Sequence, residues 1–200
     1  MGLSDTQKLL ARLYVDSDLR KRFSTDPSGV GAEFGLSDAE AAEMGGLSLP
    51  QAEFFSRSLK FKRLAEVRRL LPRTAEAMGR PFSELFLSYA EREIPAGIAK
   101  HQHDAVAFAA HLQLSEIPAE PPWTRDLARY EAAWLQANRC GVCCLVRLFR
   151  WDLRLIVNPS KAQLAAVPRR RLVGLWLRLR PWGAIRHCLI PAGFSRSPLV

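Results

Sequence analysis

Between residues 54 and 112 the chain alternates apolar helical stripes with proline and glycine breaks, and this leaves few folds open to it. Phe55, Leu59, Leu64, Val67 and Leu71 fall close to one face of a single helix, with the charges on the other. Pro72 closes that helix, because proline pushes the residue before it out of helical geometry. Pro81 suits the first turn of the next helix, where its missing N–H costs nothing. Phe82, Leu85, Phe86 and Tyr89 then recur at i, i+3, i+4 and i+7. Pro95 and Gly97 interrupt the chain again. A third helix is predicted from about Asp104, which can cap it, and carries Val106, Phe108 and Leu112. Three amphipathic helices with short breaks must bury their stripes together, so a helical bundle is expected.

The flanks differ from this centre. Residues 1–50 read as a small helical module. Leu9, Leu10, Leu13 and Tyr14 form one amphipathic turn pattern, with Ser4 or Asp5 as its cap. Asp26 and Pro27 mark a turn or helix start. Ser37 and Glu40 have the spacing of a capping box, in which each side chain satisfies the other residue's backbone. Residues 51–113 form the central helical domain. Residues 114–122 are a proline-rich linker. Residues 123–200 combine a further helix with β-prone segments. Thr124 can cap that helix, and Leu127, Tyr130 and Trp134 mark its buried face.

After Gly141 the apolar run VCCLVRLF is short and β-prone. From residue 172 onward the period becomes two: Val173, Leu175, Leu177 and Leu179 alternate with Trp176, Arg178 and Arg180. Pro181, Trp182 and Gly183 supply a turn. Ile185, His187 and Leu189 then alternate with Arg186 and Cys188. Residues 160–166 read as a short helix between the two β signals. The expected fold class is therefore α+β: an N-terminal helical bundle, then a smaller mixed domain built on an antiparallel hairpin.

Charge separates the two halves. Residues 121–200 hold 14 Lys/Arg against 3 Asp/Glu, a net of +11, whereas residues 1–120 carry a net of −2. A basic half attracts nucleic acid, acidic peptide, an acidic protein surface or anionic lipid. No apolar run approaches the ~18 residues of a membrane span. The N-terminus lacks the basic start and apolar core of a secretory signal, so a cytoplasmic protein is expected. In that setting the four cysteines are expected to be reduced.

Few residues are arranged for chemistry. Cys140, Cys143 and Cys144 include a C-x-x-C pair, but a zinc site wants a second close pair and Cys188 stands alone. Buried thiols in a β-core are expected instead. His101 and His103 are the weak metal candidates, at a helix start where polar capping residues are also expected. The phosphate-cradling, dinucleotide-binding and nucleophile-elbow signatures are absent. The chain is expected not to be catalytic alone. Arg57, Lys60, Lys62, Arg63, Arg68, Arg69 and Arg73 make the first central helix basic, so DNA binding by a transcriptional regulator is a second reading.

A basic helix ending in LLP, a Gly-Arg-Pro break, the run FSELFLSYAEREIP and a short helix ending FAAHL follow in that order. This order resembles the helical domain of the HvfC/MbnC-like proteins, a bacterial family also described as DNA-binding. DLARYEAAWLQA, residues 126–137, resembles that family's helix leading into a C-terminal β-containing domain. The resemblance implies an accessory subunit. Its partner would be an iron-dependent TIM-barrel oxidase that modifies cysteines in a ribosomally made precursor peptide. The iron would belong to the partner, with no cofactor in this chain. The expected contact residues for enzyme or peptide are Trp176, Arg178, Arg180, Trp182 and Arg186. The three arginines are expected opposite the aliphatic residues of 173–179, with Trp176 beside them. Arginine and tryptophan dominate interface hot spots. The competing expectation packs Trp176 under the linking helix and leaves the arginines solvated.

Overall fold

The computed structural model describes residues 3–46, 49–93, 100–115, 120–157, 167–179 and 183–192. Among them the chain forms helices α1 (Leu3–Val15), α2 (Ser17–Thr25), α3 (Pro27–Glu33), α4 (Asp38–Gly45), α5 (Leu49–Leu70), α6 (Pro72–Met78), α7 (Arg80–Arg92), α8 (Lys100–Leu114) and α9 (Thr124–Ala137). Strand β1 (Cys144–Phe149), the single turn α10 (Arg154–Val157) and strands β2 (Leu172–Leu177) and β3 (Arg186–Pro191) follow. The class is α+β, mostly helical, with a three-stranded antiparallel sheet in order β1-β2-β3. No described helix is long and apolar enough to cross a membrane.

The chain divides into two compact units, residues 1–66 with 84–95, and residues 67–83 with 96–200. The first unit is a set of short helices held by their caps. Asp16 accepts from the N–H groups of Asp18 and Leu19 to start α2. Asp26 closes α2 and accepts from Gly29 N–H to start α3. Ser37 and Glu40 form the complete capping box of α4, whose backbone bond holds the Glu40 carboxyl below its ordinary pKa. Leu9, Leu13, Leu19, Phe23, Val30, Leu36 and Met44 form the core. At Gly31 a Cβ would lie 2.6 Å from that of Ala41, so α3 and α4 touch where no larger residue fits. Ser4 and Asp5 lie inside the first turn of α1. There Asp5 pairs with Lys8 at 2.8 Å, and its charge complements the positive end of the helix.

The second unit begins at Val67, in the last turn of α5, and Pro72 follows the end of that helix. The same proline occupies the first turn of α6, a helix absent from the sequence expectation. Leu71 precedes it and offers no side-chain cap. Glu131 of α9 supplies one: its carboxylate accepts from Arg73 N–H and Thr74 N–H, both at 3.0 Å, and from Thr74 Oγ1 at 2.6 Å. Burial raises the Glu131 pKa, against the pull of these three donors. Gly79, with φ +61°, turns the chain from α6 into α7. That backbone is open to glycine without cost.

Two predicted caps are corrected. α8 begins at Lys100, four residues before Asp104, so buried Asp104 lies within the helix. Thr124 is the first residue of α9, and its Oγ1 donates to Pro121 O at 2.7 Å instead of accepting from the helix. Along α9 the expected stripe does face inward, with Leu127 and Tyr130 buried and Trp134 packed against the same core. The helix expected at 160–166 lies outside the described residues.

Candidate functional site

Each strand of the sheet turns one side to α9 and one side away. The inward side carries Phe149 from β1, Leu172 and Trp176 from β2, and His187 and Leu189 from β3. Trp176 is 1% exposed. Its ring lies 4.7 Å from that of His187, 5.7 Å from Tyr130 and 6.1 Å from Trp134. Gly174 is part of this packing. A Cβ there would stand 2.7 Å from Phe149 and 2.8 Å from Trp176. A glycine inside a strand pattern signals such a close approach.

The period-two alternation of β2 is therefore real, but its faces are reversed from the expectation. Leu172, Gly174 and Trp176 face the core, while Val173, Leu175 and Leu177 face away. The aromatic cluster on α9 decides this. A tryptophan among Tyr130, Trp134 and Phe149 buries more surface than the leucines on either side of it could. Trp176 is thus a core residue and offers no contact surface. Arg178 shares its side of the strand and is half-buried. Its backbone N–H bonds Cys143 O at 2.8 Å, and its Nη2 donates to Ala137 O at 3.0 Å. Arg186 does not share that side. It pairs directly with Leu177, and residues opposite each other in an antiparallel ladder point the same way. Arg186 is exposed on the outward face. Arg180 and Trp182 lie outside the described residues.

The ladder arranges the outward face in three rows: Cys144, Leu177 and Arg186; Val146, Leu175 and Cys188; Leu148, Val173 and Ile190. Six of these nine residues are aliphatic. Val146 is 48% exposed, Leu148 64% and Ile190 50%. Strand and residue spacings give this grid an area on the order of 300 Å². An antiparallel sheet with one wet face normally reads polar outward. This one reads aliphatic outward.

Arginines flank the grid. Arg186 stands in its first row. Beyond its third row lie exposed Arg150, which follows β1, and exposed Arg169, Arg170 and Arg171, which lead into β2. Arg169 covers the Trp151 ring at 5.4 Å. Other cations of this unit are engaged internally. Arg147 donates to Gln136 Oε1 at 2.7 Å, and Arg129 donates to Leu148 O and Gln113. Arg154 holds Asp152 through two bonds, which keep that carboxyl below its ordinary pKa. On α5, Lys60 pairs with Glu91 at 3.3 Å, and Arg63 donates to Ala90 O and covers the Phe86 ring. The basic residues of that helix are thus partly spent within the fold.

All four cysteines are exposed free thiols, a correction to the expected buried state. Cys144 and Cys188 sit on the outward face, which is not the core side. Cys140 and Cys143 lie in the turn between α9 and β1. His101 and His103 lie in the first turn of α8, and His101 Nδ1 is buried with no partner among the described residues. No group of three His, Cys, Asp or Glu side chains is placed to hold a metal ion among the described residues. The outward sheet face was missed by sequence reasoning because alternation reveals that a strand has two sides, without telling which is covered.

Residues 46–114 match a family model described as "SCO6045-like, C-terminal domain". The match takes in α5 to α8 and covers about a third of the chain. No curated protein matches the sequence.

Proposed function

We propose that this chain is a non-catalytic partner subunit that docks an iron-dependent TIM-barrel oxidase and helps present a cysteine-containing precursor peptide to it. The observation that carries this reading is the arginine-flanked aliphatic face of the β-sheet. Contiguous apolar surface rimmed by polar residues marks interaction sites. Burial of this grid, at about 25 cal/mol per Å² of apolar surface, supplies a hydrophobic centre for an interface. The flanking arginines steer an acidic-rimmed partner onto it. The class of partner comes from the resemblance of 54–112 and 126–137 to the HvfC/MbnC-like proteins. In that arrangement the iron chemistry resides in the oxidase. The peptide is accepted as an added strand along an edge of the sheet, where main-chain bonds give affinity and neighbouring side chains give selectivity. β1 and β3 are the edge strands.

Co-expression with the TIM-barrel oxidase tests the reading. One discrete complex on size-exclusion chromatography at micromolar concentration is expected. Separate elution of the two proteins would refute it. A DNA-binding regulator is the second reading, favoured by the exposed run Arg169, Arg170 and Arg171. Docking predicts only sequence-independent DNA association that disappears between about 50 and 200 mM salt. A sequence-selective gel shift that survives physiological salt would replace the first reading with the second.

A further inference from the structure

A cleft of about 440 Å³ lies within the first unit, between α1, α2 and the start of α5. Its walls are mostly apolar, with Leu10, Tyr14, Phe23 and Phe55 among them. The rings of Tyr14 and Phe55 meet at 4.7 Å along one side. Among the described residues one cation lines it, Arg20, and no carboxylate does.

Arg20 is only 9% exposed. Its Nη1 donates to Leu13 O at 2.6 Å, in the last turn of α1, where carbonyls have no helical partner. Capping α1 accounts for that one bond. A guanidinium has five donors. Nε and Nη2 of Arg20 form no hydrogen bond among the described residues, and Arg20 lines the cleft. A buried charge is costly unless it is paired. Nothing in the cleft pairs this one. Ser24 and Gln51 also line the cleft, and neither is hydrogen-bonded to Arg20; the Ser24 hydroxyl donates to Lys21 O at 2.7 Å.

We infer that this cleft binds a monocarboxylate with an apolar body, of the size of a medium-chain acyl acid. The carboxylate accepts from the two idle donors of Arg20, a charge-assisted contact that also neutralises the buried cation. The chain lies along Leu10, Tyr14, Phe23 and Phe55. A volume of this size suits a small ligand. An acyl chain meets the predominantly apolar walls without bringing amide groups that must be satisfied there. The inference concerns the first unit alone and stands apart from the role proposed for the sheet.

Isothermal titration of the full chain with octanoate, 1-octanol and acetate tests it. Octanoate is expected to bind at least tenfold more tightly than octanol, and acetate not at all. Arg20→Met keeps the apolar stem and removes the charge. It is expected to lose at least tenfold in octanoate affinity while octanol binding stays unchanged. Ala52→Phe puts a ring into the cleft and leaves Arg20 unchanged in sequence; it is expected to abolish octanoate binding, which keeps the test decisive if Arg20→Met does not fold. Equal affinity for octanoate and octanol would overturn the inference, as would undiminished octanoate binding by either folded variant. Tighter binding of a tripeptide ending in a free leucine carboxylate would overturn the acyl assignment.

Discussion

Replacing Glu131 with alanine removes the cap of α6 from a distance of more than fifty residues. Three donors then lose their acceptor: the N–H groups of Arg73 and Thr74 and the Thr74 hydroxyl. Arg73 is exposed, so water can replace the carboxylate there. Thr74 is 0% exposed, so its donors are left buried. Loss of an ordinary N-cap costs about 0.5–2 kcal/mol. A buried donor left unsatisfied costs about 1–3 kcal/mol. Together these give about 2–4 kcal/mol for Glu131→Ala, a large share of the ~5–15 kcal/mol that a domain has in hand. Glu131→Gln keeps one acceptor oxygen but turns an amide against one of the N–H groups, so about half that loss is expected. Urea denaturation at pH 7.5 measures both. All five tryptophans lie between residues 123 and 182, so their fluorescence reports the unit that holds Glu131. The midpoint is expected to fall with an unchanged slope. An alanine variant within about 0.5 kcal/mol of the parent would refute the capping argument.

Three further outcomes follow from the sheet. His187 is packed among Tyr130, Trp134 and Trp176 with its Nε2 buried and unpartnered, and burial lowers its pKa from 6.5. The unfolded chain therefore takes up the proton first, so stability is full above pH 6.5 and declines as pH falls toward the folded pKa. His187→Phe should flatten that decline in urea titrations between pH 5 and 7.5, and parallel pH profiles for the two proteins would contradict the assignment. Gly174→Ala puts a methyl group against Phe149 and Trp176 and should cost about 1–3 kcal/mol in the same assay, whereas a neutral result would mean that the rings move aside freely. All four thiols should react with a thiol reagent in the native protein, and masking of Cys144 and Cys188 until denaturation would show that the outward face is covered.

The helices of the centre were legible because their code is local. Phe82, Leu85, Phe86 and Tyr89 stand at one helical spacing and all are buried. Ser37 and Glu40 announce a cap by their separation alone, and they form it. Helix α6 was missed because its start depends on Glu131, a side chain far along the sequence. The polarity of β2 was misread for a related reason. The aliphatic residues at 173, 175 and 177 make an acceptable core face taken alone. The choice falls to Trp176 only when α9 brings Tyr130 and Trp134 to it. Gly174 carried the one local hint, since a strand rarely keeps a glycine unless something approaches it closely. Arg186 was assigned to the wrong side because register, which no single strand encodes, pairs it with Leu177. Cys144 and Cys188 lie on the outward faces of β1 and β3, where no described element covers them, so their thiols are exposed.

The docking role of the sheet's outward face is tested most directly on its edge strand. Val146 and Leu148 point away from the core of β1 and are already half exposed or more, so Val146→Glu with Leu148→Glu should leave the fold intact. Far-UV circular dichroism and the urea midpoint check that condition. Affinity for the TIM-barrel oxidase is then measured by biolayer interferometry for the parent and the double variant. Two carboxylates within a desolvated apolar contact should weaken the complex by about 100-fold or more. A folded double variant that binds the oxidase as tightly as the parent would contradict the account.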